Sequence, residues 1–320
     1  MSRHRDFVPQ GVIPAVLLPF HEDLSIDERS FRAHLRDVSA VQGLSAITIN
    51  AHSTEVASCT DAEQRRVMQI AGEEVGGALP IIHGIWADGS LQAARIAREA
   101  EAGGASALLV FPPAPFTIGQ SAEMVLAHFK TIAEATDLPL IVFQYPLATG
   151  QGYPMATLER LFDEVPTIRA IKDWTTLVPQ HERQIRALQG RKRPINVLST
   201  NSAWLMSSLV LGCNGLLSGS GSVIADLQAR LFRAVKANDL AEARRLNDRI
   251  YPTARVFYAD PFVDMHNRMK EALVLLGKLP RAVVRPPLVK IREAEIAEIR
   301  NALIEAELLG ADAAKARSAA

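Results

Sequence analysis

The sequence predicts a closed (β/α)8 barrel carrying a C-terminal helical extension, and three observations predict it. Short apolar runs recur at intervals of roughly thirty residues, the spacing of βα units. Between them lie segments with helical spacing and their own start and stop signals. The runs are nearly continuous in apolar residues, as expected of strands covered on both faces. A doubly wound open sheet is the competing arrangement, but it calls for a nucleotide fingerprint. Gly219-Ser220-Gly221 lacks the third glycine and follows a late strand, so it reads as a tight turn.

Taken in order, Val12 to Pro19 is the first strand-like run. Asp27 caps a helix whose Phe31, Leu35 and Val38 share a face, and Gly43 ends it. Residues 46–50 form the second strand, and Thr60 with Glu63 opens the next helix as a capping box. The third strand spans 80–84, and the helix 90–102 closes on Gly103-Gly104. Strands at 107–111, 138–144, 167–172, 194–199 and 215–218 follow, with helices at 121–135, 157–165, 179–188 and 202–211 between them. Helices at 227–237, 240–251, 264–276 and 293–308 exceed what a barrel needs. The expected organisation is therefore an N-terminal segment 1–11, a barrel 12–225, C-terminal helices 226–310 and a tail 311–320.

The 320 residues hold 35 Lys+Arg against 35 Asp+Glu and only 6% aromatics, which argues against nucleic acid or an anionic membrane as partner. Two cysteines, Cys59 and Cys213, make neither a disulfide framework nor a metal set. No apolar core marks Met1 to Gln10 as a signal peptide, and no uncharged apolar stretch is long enough to span a bilayer. A cytoplasmic protein is the expectation, and nothing in the chain calls for a cofactor.

Barrel chemistry sits at the C-terminal ends of strands. Those ends are polar but almost uncharged: Lys172 and the carboxylates Glu55 and Asp173 are the exceptions. Lys172 ends the sixth strand. Desolvated there, it becomes a free amine able to attack a ketone; solvated, it is the first residue of a loop. Ser53 and Thr54 lie in a turn that either receives an anion or satisfies its own backbone. Thr200 and Ser218 end the seventh and eighth strands, and Phe143 lies near the end of the fifth. His52 and His83 lack metal-ligand spacing, so no metal site is expected.

These residues carry a resemblance. Asp137-Leu138-Pro139-Leu140, Tyr145-Pro146 with Thr149-Gly150, Ala170-Ile171-Lys172-Asp173, Leu211-Gly212-Cys213-Asn214-Gly215 and Arg285-Pro286-Pro287 make the chain similar to the dihydrodipicolinate synthase / N-acetylneuraminate lyase superfamily from about Val12 to Leu308. The resemblance implies a (β/α)8 barrel with Lys172 as Schiff-base residue, a 2-keto acid substrate bound through Ser53 and Thr54, and a homotetramer built as a dimer of dimers. It also exposes departures. The family's proton-relay hydroxyls are replaced: His52 stands for a threonine, Phe143 for the strand-five tyrosine, and Pro113-Ala114 for the tyrosine lent by a neighbouring subunit. Ala148 replaces the arginine that holds aspartate semialdehyde, which argues against a true dihydrodipicolinate synthase.

The expected activity is that of a Schiff-base lyase, either an aldolase, a hydratase-aldolase or a dehydratase, acting on pyruvate or another 2-keto acid. His52 is the expected acid–base group, because an imidazole can serve in both directions. Phe143, Thr200 and Ser218 join Ser53 and Thr54 as expected substrate contacts. The alternative is a member that has lost catalysis and survives as a 2-keto acid-binding or regulatory protein.

Overall fold

The computed structural model describes residue 4 and residues 6–310; the expected tail at 311–320 lies outside the described residues. Eight strands are present: β1 Gly11–Pro14, β2 Ile47–Ile49, β3 Ile81–Ile85, β4 Ala107–Val110, β5 Leu140–Gln144, β6 Ile168–Asp173, β7 Asn196–Ser199 and β8 Gly215–Ser218. They pair in parallel in the order β1-β8-β7-β6-β5-β4-β3-β2. Parallel bridges Val12–Leu44 and Ala15–Thr48 join the remaining edges, so the sheet closes. The helices are α1 Glu28–Ser39, α2 Asp61–Glu74, α3 Ser90–Ala102, α4 Ala122–Ala133, α5 Met155–Glu164, α6 Val178–Gln189, α7 Leu205–Val210, α8 Gly221–Lys236, α9 Leu240–Phe257, α10 Met265–Leu275 and α11 Glu293–Glu305.

Strand periodicity sorts the side chains into two layers. In β4, Ala107 and Leu109 enter a cluster inside the ring with Ile13, Ile82, Phe143 and Leu217. Leu108 and Val110 face the helices instead. The same alternation in β6 turns Ala170 inward and Ile171 outward. Two residues beyond Ala170, Lys172 lies on the inward face.

Where β2 meets β3, backbone approaches backbone. Asn50 follows β2 with a positive φ of 49°, and a Cβ on Gly84 would lie 1.9 Å from its carbonyl oxygen. Only glycine fits there. Gly84→Ala should cost about 1–3 kcal/mol or more, read as a lower melting temperature; an unchanged one would refute this tight approach.

Several expectations shift in the structure. β1 ends at Pro14, five residues before the expected Pro19, although Ala15 still bridges Thr48. Residues 202–204 form a tight turn ahead of a shorter α7. α9 runs through Pro252 to Phe257 rather than stopping at Tyr251. The expected barrel boundary at 225 falls inside α8, next to its one non-helical residue, Ile224. The expected C-terminal helical extension is present and packs against the barrel. α8 packs on β1 through the Ser222 hydroxyl, which donates to the Ala15 carbonyl at 2.8 Å, and the start of α10 enters the barrel mouth.

Candidate active site

Lys172 sits in β6 between Phe143 of β5 and Leu198 of β7. Its side chain is 5% exposed, and its Nζ lies 4.0 Å from the centre of the Phe143 ring. The two nearby carboxylates are both committed elsewhere. Asp173, one residue on, points to the opposite face, accepts the Thr175 N–H at 2.8 Å and pairs with His181 at 2.5 Å. Glu55 pairs with Lys270 of α10 and accepts the Arg285 N–H at 3.0 Å. Among the described residues the Lys172 amine is thus buried without a counter-charge, and burial pulls its pKa down from the usual lysine range to about 7. A large share of it is free amine at neutral pH.

Opposite the lysine lies an aromatic wall. His52 packs edge-on against Trp86 and Phe111, with ring centres 5.4 and 4.9 Å away. Its Nε2 is 2.9 Å from the Tyr145 hydroxyl. Burial, and behind it the charge of Lys172, holds the His52 imidazole near a pKa of about 3, so it is neutral. Burial also raises the Tyr145 phenol, which stays protonated. Strand residues two apart share a face. Tyr145 lies two residues past Phe143 and shares its face, in edge contact at 4.7 Å. Gln144 is the residue that turns outward, donating to the Tyr153 carbonyl at 3.0 Å.

The remaining expected residues divide. Ser53 is 1% exposed, lines the cavity beside Lys172, and its Oγ has no hydrogen-bond partner among the described residues. A buried hydroxyl without a partner is costly unless something else binds it. Thr54 is different: its hydroxyl donates to the Ala51 carbonyl at 2.9 Å and accepts the Ala51 N–H at 2.8 Å, so it shapes the turn. Thr200 lines the cavity, held by its N–H to the Asp173 carbonyl at 3.0 Å. Ser218 lies behind the cavity, its hydroxyl shared with Ser202 and Ser220 at 3.0 and 2.9 Å. His83 points outward and meets the Asn50 amide at 2.7 Å. Among the described residues, no three His, Cys, Asp or Glu side chains come together as a metal set.

The C-terminal helices add a wall that strand ends alone do not reveal. Tyr258, Phe262, Met265 and His266 line the same cavity as Lys172, His52 and Ser53. Trp174 stacks on Phe262 at 5.1 Å and 16°, and Tyr258 stacks on Phe262 at 5.8 Å. The enclosed space is about 40 Å3, room for roughly three water molecules. A small molecule fits, and Lys172 is the only cavity-lining Lys, Arg, Asp or Glu among the described residues. Parity along β5 could have found Tyr145; no local signal marks a helix residue such as His266.

The chain and its fold have known counterparts. A 4-hydroxy-tetrahydrodipicolinate synthase of Maridesulfovibrio salexigens is 28% identical over 296 residues, covering 92% of this chain and 97% of the relative. Among solved structures, the dihydrodipicolinate synthase of Thermotoga maritima superposes with a TM-score of 0.86 at 24% identity, over 95% of this chain and all of that one. A prophage protein of E. coli K12, solved in complex with pyruvate, gives 0.86 at 24% identity over 94% and 99%. Among the described residues no helix is long and apolar enough to cross a membrane. A model of the Dihydrodipicolinate synthetase family matches residues 8–306, and the chain belongs to that family of Schiff-base lyases.

Proposed function

We propose that the protein is a Schiff-base lyase acting on pyruvate or a longer 2-keto acid, with Lys172 as the nucleophile. The observation that carries this reading is the Lys172 amine, buried in the barrel lumen with no acidic partner and facing the unpartnered Ser53 hydroxyl. The neutral amine attacks C2 of the keto acid, giving a carbinolamine. Loss of water then gives an iminium, which draws electrons from the neighbouring carbon. Ser53 receives the substrate carboxylate. The Phe143 face, already 4.0 Å from Nζ, stabilises the iminium cation. The pyruvate seen in the E. coli K12 relative is consistent with a small keto acid.

His52 and Tyr145 supply the proton transfers that the replaced relay would have made. A neutral imidazole and a neutral phenol joined by one hydrogen bond can pass a proton between the carbinolamine oxygen and the amine. That pair answers the argument for a catalytically lost member. The substrate's far end meets Trp174, Tyr258, Phe262 and Thr200 rather than a charge, which favours a neutral tail. Ala148, in place of the arginine expected of a true synthase, agrees. The same reading takes the protein as a cytoplasmic homotetramer, consistent with the exposed apolar Leu91, Ile118 and Met124.

Borohydride treatment with pyruvate, followed by intact mass, tests the nucleophile. A covalent adduct confined to a peptide containing Lys172 supports the reading, and no adduct with any 2-keto acid discards it. His52→Ala should slow adduct formation about a hundredfold and Tyr145→Phe about tenfold. A change within a few-fold for both would remove the relay role.

A further inference from the structure

One group at the site has no task in the steps above. His266 comes from α10, the helix that closes the barrel mouth, and is 7% exposed. It lines the cavity with Lys172 and His52, and no group among the described residues hydrogen-bonds its ring. Space for the ring exists because position 219 has no side chain: a Cβ there would lie 2.8 Å from the His266 Nε2. The charged and titratable groups that act on it are His52, Lys172 and Lys270, the last neutralised by Glu55. Burial keeps the imidazole neutral, so it can accept a proton. The two histidines differ in placement. His52 is engaged by Tyr145 and packed against Trp86 and Phe111. His266 instead joins the wall that the C-terminal segment adds to the cavity, with Tyr258, Phe262 and Met265.

We propose that His266 is the second acid–base group of this site, taking the proton from the C4 hydroxyl of a 4-hydroxy-2-keto acid during aldol cleavage and returning it during condensation. The step balances. The O–H bond breaks toward the imidazole and the C4 oxygen becomes a carbonyl. The C3–C4 electron pair moves into the Lys172 iminium, leaving an enamine. The aldehyde departs, and protonation of C3 followed by hydrolysis releases pyruvate. Condensation runs the same steps backwards. This proposal rests on the Schiff-base reading, and it divides the labour: His52 and Tyr145 serve C2, and His266 serves C4.

The test compares the full chain with its His266→Gln and His266→Ala variants in three assays. These are borohydride trapping with pyruvate, exchange of the pyruvate methyl protons in deuterium oxide, and condensation of pyruvate with acetaldehyde, glyceraldehyde or benzaldehyde. Trapping needs only the C2 steps and exchange adds deprotonation at C3; neither involves a C4 oxygen, so both should stay within about threefold of wild type, which also shows that the variants fold. Condensation should fall about a hundredfold in kcat with little change in KM. Condensation at the wild-type rate overturns the proposal, as does an equal fall in exchange and condensation. A wild type that exchanges but condenses with none of the aldehydes also overturns it. No adduct in the wild type removes the Schiff-base reading and this proposal together.

Discussion

Replacing Lys172 with methionine should abolish the pyruvate adduct and, below pH 7, make the protein more stable than the wild type. The first effect follows from chemistry, because a thioether cannot form an imine. The second follows from burial. Folded Lys172 has its pKa pulled down to about 7 from the usual 10.5. Between those values the unfolded chain binds a proton that the folded chain does not, so stability rises with pH across that window. Below pH 7 both states are protonated, and the folded state carries the full penalty of an ammonium without a counter-charge. Methionine has similar length and no charge to desolvate, so Lys172→Met should gain on the order of 2–4 kcal/mol there, with the advantage fading toward pH 10.5. Melting temperatures of both proteins at pH 6 and pH 10 decide it. A variant less stable than the wild type at pH 6 would mean that the amine has a partner the structure does not show.

A site that costs stability where it gains reactivity is what a nucleophilic lysine requires. The surroundings follow the same logic. Asp173 is the next residue in the chain but points to the opposite face, and both Asp173 and Glu55 are held by other bases. The charge pattern around the lysine is thus set from other elements: by His181 of α6 and, far along the chain, by Lys270 of α10.

That distance explains what the sequence could and could not reveal. The βα spacing and the apolar runs carry the barrel, because strand and helix periods are local properties. Lys172 was legible, since a lysine at the end of an apolar strand is anomalous on its own. His52 and Ser53 were legible as strand-end residues. Thr54 and Ser218 show the limit: whether a hydroxyl faces a substrate or its own backbone depends on turn geometry that composition does not specify. Tyr145 was within reach by parity from Phe143. His266, Tyr258 and Phe262 were not, because nothing in an amphipathic helix says that its first turn enters the mouth of a barrel whose last strand ended at Ser218. Long-range closure of this kind is a tertiary fact.

The Lys270–Glu55 pair is the place where that closure is fastened, and breaking it should have the largest effect on stability. Lys270 is fully buried; it donates to Glu55 and to the Val283 carbonyl at 2.8 Å, and it lies 4.3 Å from the centre of the Phe20 ring. Glu55 follows the turn bearing His52 and Ser53, at a positive φ of 51° that a non-glycine residue holds only under constraint. Arg285 pins the same corner, bonding Glu63 and stacking on Phe20. Lys270→Met should leave the Glu55 carboxylate buried and without its cation, at a cost of about 3–5 kcal/mol. The turn should then loosen, so pyruvate trapping should slow even though neither residue lines the cavity. Glu55→Gln combined with Lys270→Met removes both charges and should recover a large part of the stability, because the penalty belongs to the uncompensated ion rather than to the lost contact. Trapping should recover less, since the amide cannot reproduce the charged grip on α10. Chemical denaturation of the two singles and the double measures the coupling. If the three costs simply add, the pair is not the fastening, and the turn is held by Arg285 alone.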